Sequence, residues 1–444
     1  MSLPTPRKTV QKLQQSLHVK AKTEPSYRFY SLWDKVCRTD VLRYAYRACR
    51  AKRGAPGVDG LTFEQIEAGG LEEWLGNLQE ELRSKAYAPQ PLLRVWIPKR
   101  SGGQRPLGIP TIRDRVVQAS VLAVLDPIFD PDLPNEQFGF RKGRDARRAA
   151  RQVRFHLNKQ GRTDVVDADL SNYFNTIPHG QLMKCVARRV SDRRVLEVIK
   201  QWLIAPVLER KGRHILRTTE SRNTSRGTPQ GGVISPLLAN LYFRRFVLAW
   251  RQFGYEERLN AHIINYADDL VICCRPGAGA EAMQRMREIM GRLGLTVNEQ
   301  KSKVAIMSVS SKESFDFLGY TFGRLYRRDA QPYLGMRPSQ DATSRILRRI
   351  RDETSQTWSP VSVQIRVEVI NRVVRGWCNY FDQGAAHPAY RKVSRHLVWR
   401  FRRWLMKKHK RLGSAARHYP MPALREMGLY LPQLVKRDRS SAKA

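Results

Sequence analysis

Three aspartates placed at strand ends restrict this chain more than any other feature in it. Tyr266-Ala267-Asp268-Asp269 stands between two short apolar runs, Ile263-Ile264-Asn265-Tyr266 and Leu270-Val271-Ile272-Cys273-Cys274. Two such runs predict a hairpin whose tight turn carries both carboxylates out from the sheet edge. Adjacent aspartates in a turn are ordinarily only solvated, so the tetrapeptide alone decides nothing. A third carboxylate changes the reading. Val165-Val166-Asp167-Ala168 predicts another strand, and Asp169 ends it, followed by Leu170-Ser171-Asn172-Tyr173-Phe174. If that strand lies beside the hairpin, three carboxylates converge. Three like charges at close range are destabilising unless a cation stands among them. Carboxylate oxygens with water and substrate phosphates suit magnesium. Paired ions in such a cluster activate a hydroxyl and stabilise the leaving oxygens of a phosphoryl transfer.

The charge balance points to a phosphate-bearing partner. Eighty Lys and Arg against forty Asp and Glu give a formal +40 over 444 residues. So large an excess opposes compactness through self-repulsion unless a polyanion offsets it. Nucleic acid fits, since each phosphate contact releases counterions; a solvated basic surface or anionic lipid is the plainer alternative. No apolar run approaches the roughly 18 residues of a membrane span, so no membrane partner is expected. The start, MSLPTPRKTVQKLQQ, lacks the apolar centre of a signal peptide. Cys37, Cys49, Cys185, Cys273, Cys274 and Cys378 include no CxxC pair, which suggests neither a zinc site nor a disulfide framework. The expected compartment is the cytoplasm.

Along the chain, residues 1–26 are polar and basic and are expected to be a flexible arm. Helical patterns cover Tyr27–Arg53, about Phe63–Tyr87 and Arg115–Leu125. Leu93–Lys99, the Gly-rich turn Ser101-Gly102-Gly103 and the basic residues around it predict a β-hairpin. Ser235–Trp250 and Glu281–Leu293 are further helix candidates, the second closed by Gly294. After Tyr320 the texture changes. Residues 323–339 are expected to be a linker, 340–430 a helical domain and 431–444 a basic tail. Ser359-Pro360 is expected to open a helix with Val363, Val367, Ile370, Val374 and Trp377 on one face. A later helix, about His396–Arg411, is expected to show an aromatic-aliphatic face and a basic one. Arg400, Arg403, Lys407, Lys408, Lys410 and Arg411 on or beside that basic side are candidates for tracking a nucleic-acid backbone, with Arg402 among them. Trp377, Trp399 and Trp404 are expected in the core; stacking on bases is the alternative.

The ordered blocks GAPGVDG (54–60), VWIPKRSGGQRPLGIPTIRDRVVQ (95–118), EQFGFRKGR (136–144), DADLSNYFNTIPH (167–179), RGTPQGGVISPLLANLYF (226–243), INYADDLVICC (264–274), GLTVNEQKSK (294–303) and FDFLGY (315–320) resemble the reverse transcriptase domain of group II intron-encoded proteins. The resemblance covers about residues 27–430. It implies an α+β right-hand polymerase, with fingers and an antiparallel-sheet palm over 27–322 (core motifs 93–320) and a helical thumb or maturase domain after it.

Carried over by position, the resemblance makes Asp169, Asp268 and Asp269 catalytic metal ligands, with the Leu170 carbonyl as a further one. The ions would be two Mg²⁺, with Mn²⁺ as a substitute. Lys99 and Arg105 match basic residues near the triphosphate, and Gln230 a contact to the incoming nucleotide. Phe174 matches an aromatic that selects deoxynucleotides, and Lys301 a lysine near the active site. Arg141, Lys142 and Arg144 are candidate nucleic-acid contacts. Implied partners are an RNA template or group II intron RNA, a DNA primer or target, and deoxynucleoside triphosphates. The oligomeric state is open. Many relatives continue into an HNH endonuclease with cysteine pairs; this chain reaches Ala444 without them, which implies priming from existing nicks or single strands. Alternatives of another class are a splicing cofactor that only binds RNA, and a reverse transcriptase recruited to anti-phage defence or CRISPR spacer acquisition.

Overall fold

The computed structural model describes residues 6–98, 103–211, 214–218, 225–327 and 329–432. The architecture is α+β, as expected. Its strands, in chain order, are β1 (Leu92–Pro98), β2 (Gln104–Ile109), β3 (Asp164–Asp169), β4 (Val207–Lys211), β5 (His214–Arg217), β6 (His262–Tyr266), β7 (Asp269–Cys274), β8 (Lys303–Ile306), β9 (Ser314–Phe317), β10 (Tyr320–Tyr326) and β11 (Pro332–Pro338). Among the described residues the sheet orders are β2-β1-β4-β5, β6-β7-β3-β8 and β11-β10-β9. The chain divides into two compact units. The first takes the chain as far as Arg144, Ala168–Leu270 and Glu281–Ser302; the second takes Asp145–Asp167, Val271–Ala280 and the chain from Lys303 onward.

The first unit is organised by the helix Ile112–Phe129, whose Val116, Val117, Val121, Leu125 and Ile128 are fully buried. Thr111 caps it, its hydroxyl accepting from the Asp114 amide at 3.1 Å. The Asp114 carboxylate in turn accepts from the Tyr87 hydroxyl at 2.8 Å. The expected hairpin exists: β1 and β2 pair antiparallel from Leu93↔Ile109 to Pro98↔Gln104. It is not isolated, because β4 joins β1 in parallel and β5 follows. That mixed sheet includes a pairing no local signal announced.

The segment from Pro6 to Thr23 departs from expectation. Where a flexible arm was expected, Pro6–Thr23 is a helix. Val10 and Ala21 are 1% exposed, and Val10 packs with Val41 and Ala123. Thr9 donates to the Asp40 carboxylate at 2.7 Å, and the Gln14 amide to the Ala123 carbonyl at 2.9 Å. Val10, Leu13, Leu17 and Ala21 repeat at helical spacing, a narrow stripe that the surrounding charges obscure.

In the second unit β3 pairs antiparallel with β8, from Asp164↔Ile306 to Asp167↔Lys303. The expected linker at 323–339 is instead the rest of a hairpin. β10 and β11 pair from Tyr320↔Pro338 to Tyr326↔Pro332, with Phe322 and Met336 facing each other fully buried. Three long helices follow, Gln340–Glu353, Val363–Tyr380 and His387–Lys408, with short helices at Ala415–His418 and Met421–Glu426 after them. Ile346, Ile350, Ile370, Val374, Leu397, Phe401 and Trp404 form their shared core. The middle helix opens at Ser362, whose hydroxyl accepts from the Ile365 amide, rather than at Ser359-Pro360. The Lys408 ammonium holds the preceding turn by donating to the Ser359 and Val361 carbonyls at 2.7 and 3.0 Å. The last long helix begins nine residues before the expected His396. No helix among the described residues is long and apolar enough to cross a membrane.

Candidate active site

The Asp268-Asp269 turn between β6 and β7 is held by main-chain contacts and by one side-chain amide, that of Asn265. Ala267 adopts φ +60°, a left-handed conformation that costs a non-glycine residue energy and persists only where neighbours impose it. Asn265 imposes it: its side-chain amide donates to the Ala267 carbonyl at 2.9 Å and to the Asp269 carbonyl at 3.2 Å. Behind the turn, the Phe138 amide donates to the Asn265 carbonyl and the Asn265 amide to the Glu136 carbonyl, both at 2.8 Å. Gly139 completes the support. A Cβ there would stand 2.6 Å from the Ala267 nitrogen, so only glycine lets the two backbones approach this closely.

Asp169, at the end of β3, comes to the same place. The next amide, of Leu170, donates to the Asp268 carbonyl at 3.4 Å. On the other side the Ser171 amide donates to the Thr296 carbonyl and the Asn298 amide to the Asp169 carbonyl, at 2.9 and 2.8 Å. The Asp169 carboxylate accepts from the Asn298 side chain at 3.1 Å and pairs with Lys301 at 3.4 Å. The three aspartates thus meet at one sheet edge, and all three side chains are half-buried. Their donors are hard oxygens, which fits a divalent cation of the magnesium class. Their carboxylates remain spread. Among the described residues, the group whose ligand atoms lie within 4.8 Å of one another is Glu136, Glu256 and His262. There Arg251 pairs with both glutamates, at 3.2 Å from Glu256, so an arginine already supplies the positive charge.

A pocket of about 520 Å³, whose lining does not include the aspartates, is walled by Trp96, Gly108, Asn172, Asn175, Arg226 and Gln230, among others. The Gln230 carbonyl accepts from the Gly108 amide at 2.7 Å, which ties the Pro229–Gly232 turn to β2. Gly231 sits at φ +115° with the Gly108 carbonyl where a Cβ would go. The Arg105 guanidinium donates to the Gln230 side-chain oxygen at 2.7 Å, and the Gln230 amide reaches Asn175 at 3.5 Å. Phe174 is 8% exposed, edge-on to Phe140 and Tyr173. Burial pushes the Tyr173 phenol far above its ordinary pKa, and it donates to the Ala239 carbonyl at 2.6 Å. Lys99 lies outside the described residues.

Of the other basic candidates, several are committed to internal partners. The Arg141 side chain is 5% exposed and binds the Asp130 carboxylate and the carbonyls of Asp130, Pro134 and Gln137. Arg144 binds Asn135. Arg400 donates to the Thr354 hydroxyl and to the Arg351 and Thr354 carbonyls, closing the helix Gln340–Glu353. Lys142, Arg403, Lys407, Lys410 and Arg411 are exposed. Asn175 and Asn298 were not singled out from sequence. Asn298 stands three residues from Lys301 in one polar turn, the only local hint of a shared target.

Residues 97–322 match the family described as reverse transcriptase (RNA-dependent DNA polymerase), about half of the chain. Residues 343–420 match the group II intron maturase-specific domain. The chain is 34% identical to Protein YkfC of Escherichia coli over 72% of its own length and 89% of that protein's. It is 31% identical to the group II intron-encoded protein LtrA of Lactococcus lactis over 50% of this chain, but spans only 35% of LtrA. With the putative COX1/OXI3 intron 1 protein of Saccharomyces cerevisiae it shares 25% identity over 63% of this chain and 38% of that one. The two matched domains, in this order and the first of them carrying an aspartate-bearing sheet edge, make this chain a member of the group II intron type of reverse transcriptase/maturase, an RNA-directed DNA polymerase.

Proposed function

We propose that Asp169, Asp268 and Asp269, with the Leu170 carbonyl, hold two Mg²⁺ ions for the joining of a deoxynucleotide to a DNA primer on an RNA template. Dependence on divalent metal and binding of RNA come with the family; the ion count, the primer and these residues' roles are our reading. The bound ions would lower the pKa of the primer hydroxyl and neutralise the departing pyrophosphate. The observation that carries the reading is the hydrogen bond from Leu170 to Asp268, which joins segments a hundred residues apart at the carboxylates. Lys301 holds Asp169 in place and offsets its charge in the free protein. Arg105, through a planar fork suited to phosphate, positions the triphosphate with Lys99, and Gln230 hands Arg105 its orientation. Phe174 underlies the sugar and leaves no room for a 2′-hydroxyl. Through Lys142, Arg403, Lys407, Lys410 and Arg411 the chain binds backbone phosphates of its template and of a parent intron RNA, whose splicing and mobility it assists in the cytoplasm. Arg141, Arg144, Arg400 and Lys408 contribute by shaping those surfaces.

Primer extension on an RNA template with deoxynucleotides and Mg²⁺ tests this. Asp268→Ala should lower extension at least about 1000-fold while RNA binding persists. Extension by that variant at the parent rate removes the assignment.

A further inference from the structure

The helix His387–Lys408 carries two tryptophans with opposite fates. Trp404 is 1% exposed, whereas Trp399 is 50% exposed, against the expectation that both are core. Trp399 walls a pocket of about 520 Å³, together with Val398, Met421 and Leu431. Two exposed arginines, Arg395 and Arg403, also line it. The Arg403 guanidinium stands 4.9 Å from the Trp399 ring centroid, a distance at which a cation is drawn to the ring.

Ser394 supplies the independent sign of a ligand. It lines the same pocket, is 8% exposed, and its hydroxyl has no hydrogen-bond partner. A helical serine can ordinarily turn its hydroxyl to the carbonyl four residues back; this one does not. The hydroxyl is closed off as it stands; turning about χ1 toward the pocket would let a polar ligand atom recover the free energy that a buried unpaired hydroxyl costs. The pocket therefore asks for three properties at once: a flat face for Trp399, a polar edge for Ser394 and negative charge for the arginines. An apolar peptide side chain offers only the first.

We propose that this pocket takes an unstacked nucleobase of single-stranded RNA, stacked on Trp399, its edge bonded to the Ser394 hydroxyl and its phosphate facing Arg395 and Arg403. The net charge of +40 favours a polyanion over a neutral ligand. The proposal rests on the RNA-binding part of the reading above and is independent of polymerisation.

Binding of the full chain to a dye-labelled oligouridylate, and to an abasic ribose-phosphate oligomer of equal length, tests it by fluorescence anisotropy. Trp399→Ala should weaken the oligouridylate about tenfold and leave the abasic oligomer within about twofold, because stacking needs a base. Trp399→Phe should retain most of the affinity. Ser394→Ala, a small change that the fold tolerates, should cost about threefold on the oligouridylate alone. Equal losses on both oligomers, or none with Trp399→Ala, overturn the pocket, as does displacement of the RNA by an uncharged apolar peptide. Failure of the parent chain to bind either oligomer would instead remove the RNA-binding reading itself.

Discussion

In the first unit the backbone that carries the aspartates is fixed by main-chain bonds and a few polar side chains, and in the second the candidate groups ride on helix surfaces. The Asp268-Asp269 turn is bounded by Gly139, Asn265 and Leu170, whose contacts to it run through backbone atoms on at least one side. The helices Gln340–Glu353, Val363–Tyr380 and His387–Lys408 satisfy their own backbones. Their arginines and lysines then divide between two tasks. Arg366, Arg400 and Lys408 hold carbonyls of neighbouring segments, while Arg403 and Lys407 remain exposed. A metal-bearing site needs carboxylates at fixed positions, because catalysis depends on placement of reacting groups to within a fraction of an ångström. A surface that grips phosphates tolerates long, mobile side chains.

That contrast can be broken in three places. Arg366 and Glu353 form a buried ion pair, 3% and 6% exposed, with Arg366 also over the Trp358 ring at 4.4 Å. Removing Arg366 leaves Glu353 with Arg349, a largely exposed partner at 2.6 Å, as its one remaining cation, so Arg366→Met should cost about 2 kcal/mol of stability. Urea denaturation followed by helical circular dichroism reads this, and an unchanged midpoint would mean the helices do not depend on their ion pair. The Gly139→Ala change should act on the other unit and on activity. The added methyl must push the Ala267 backbone from its position, and primer extension should fall about 30-fold at saturating nucleotide, with RNA affinity unchanged. If extension holds, the turn is not positioned by that close approach. Phe174→Ala sharpens the comparison by altering a side chain within the site of the first unit. Ribonucleotide incorporation relative to deoxynucleotide should rise about tenfold, measured by competing the two on one template. An unchanged ratio assigns Phe174 to packing against Phe140 and Tyr173 alone.

Strand and helix placement around the aspartates could be read directly. The runs at 263–266 and 270–274 became β6 and β7, and the helix expected over Ser235–Trp250 spans Ser235–Gln252. These segments carry strong periodicity and sharp ends. The errors fall where a pattern is weak or its partner distant. Pro6–Thr23 is mostly polar, and its Val10 and Leu13 find their cover in Val41 and Ala123 of other helices. The β10–β11 hairpin turns through Arg327 and Ala330, without the glycine-led turn that would mark it. Arg141 looked available for phosphate because nothing local shows that the Asp130 and Pro134 carbonyls surround it.

Sequence alone determined the chemistry on offer: which residues are acidic, that they end apolar strands, and that a large positive excess surrounds them. These follow from residue type and spacing, which need no partner. Only the tertiary structure decided which charges are free. Whether an arginine meets a phosphate or a carbonyl, or a tryptophan meets solvent or its own core, depends on segments brought together from far apart, and their approach is set by packing of the whole unit.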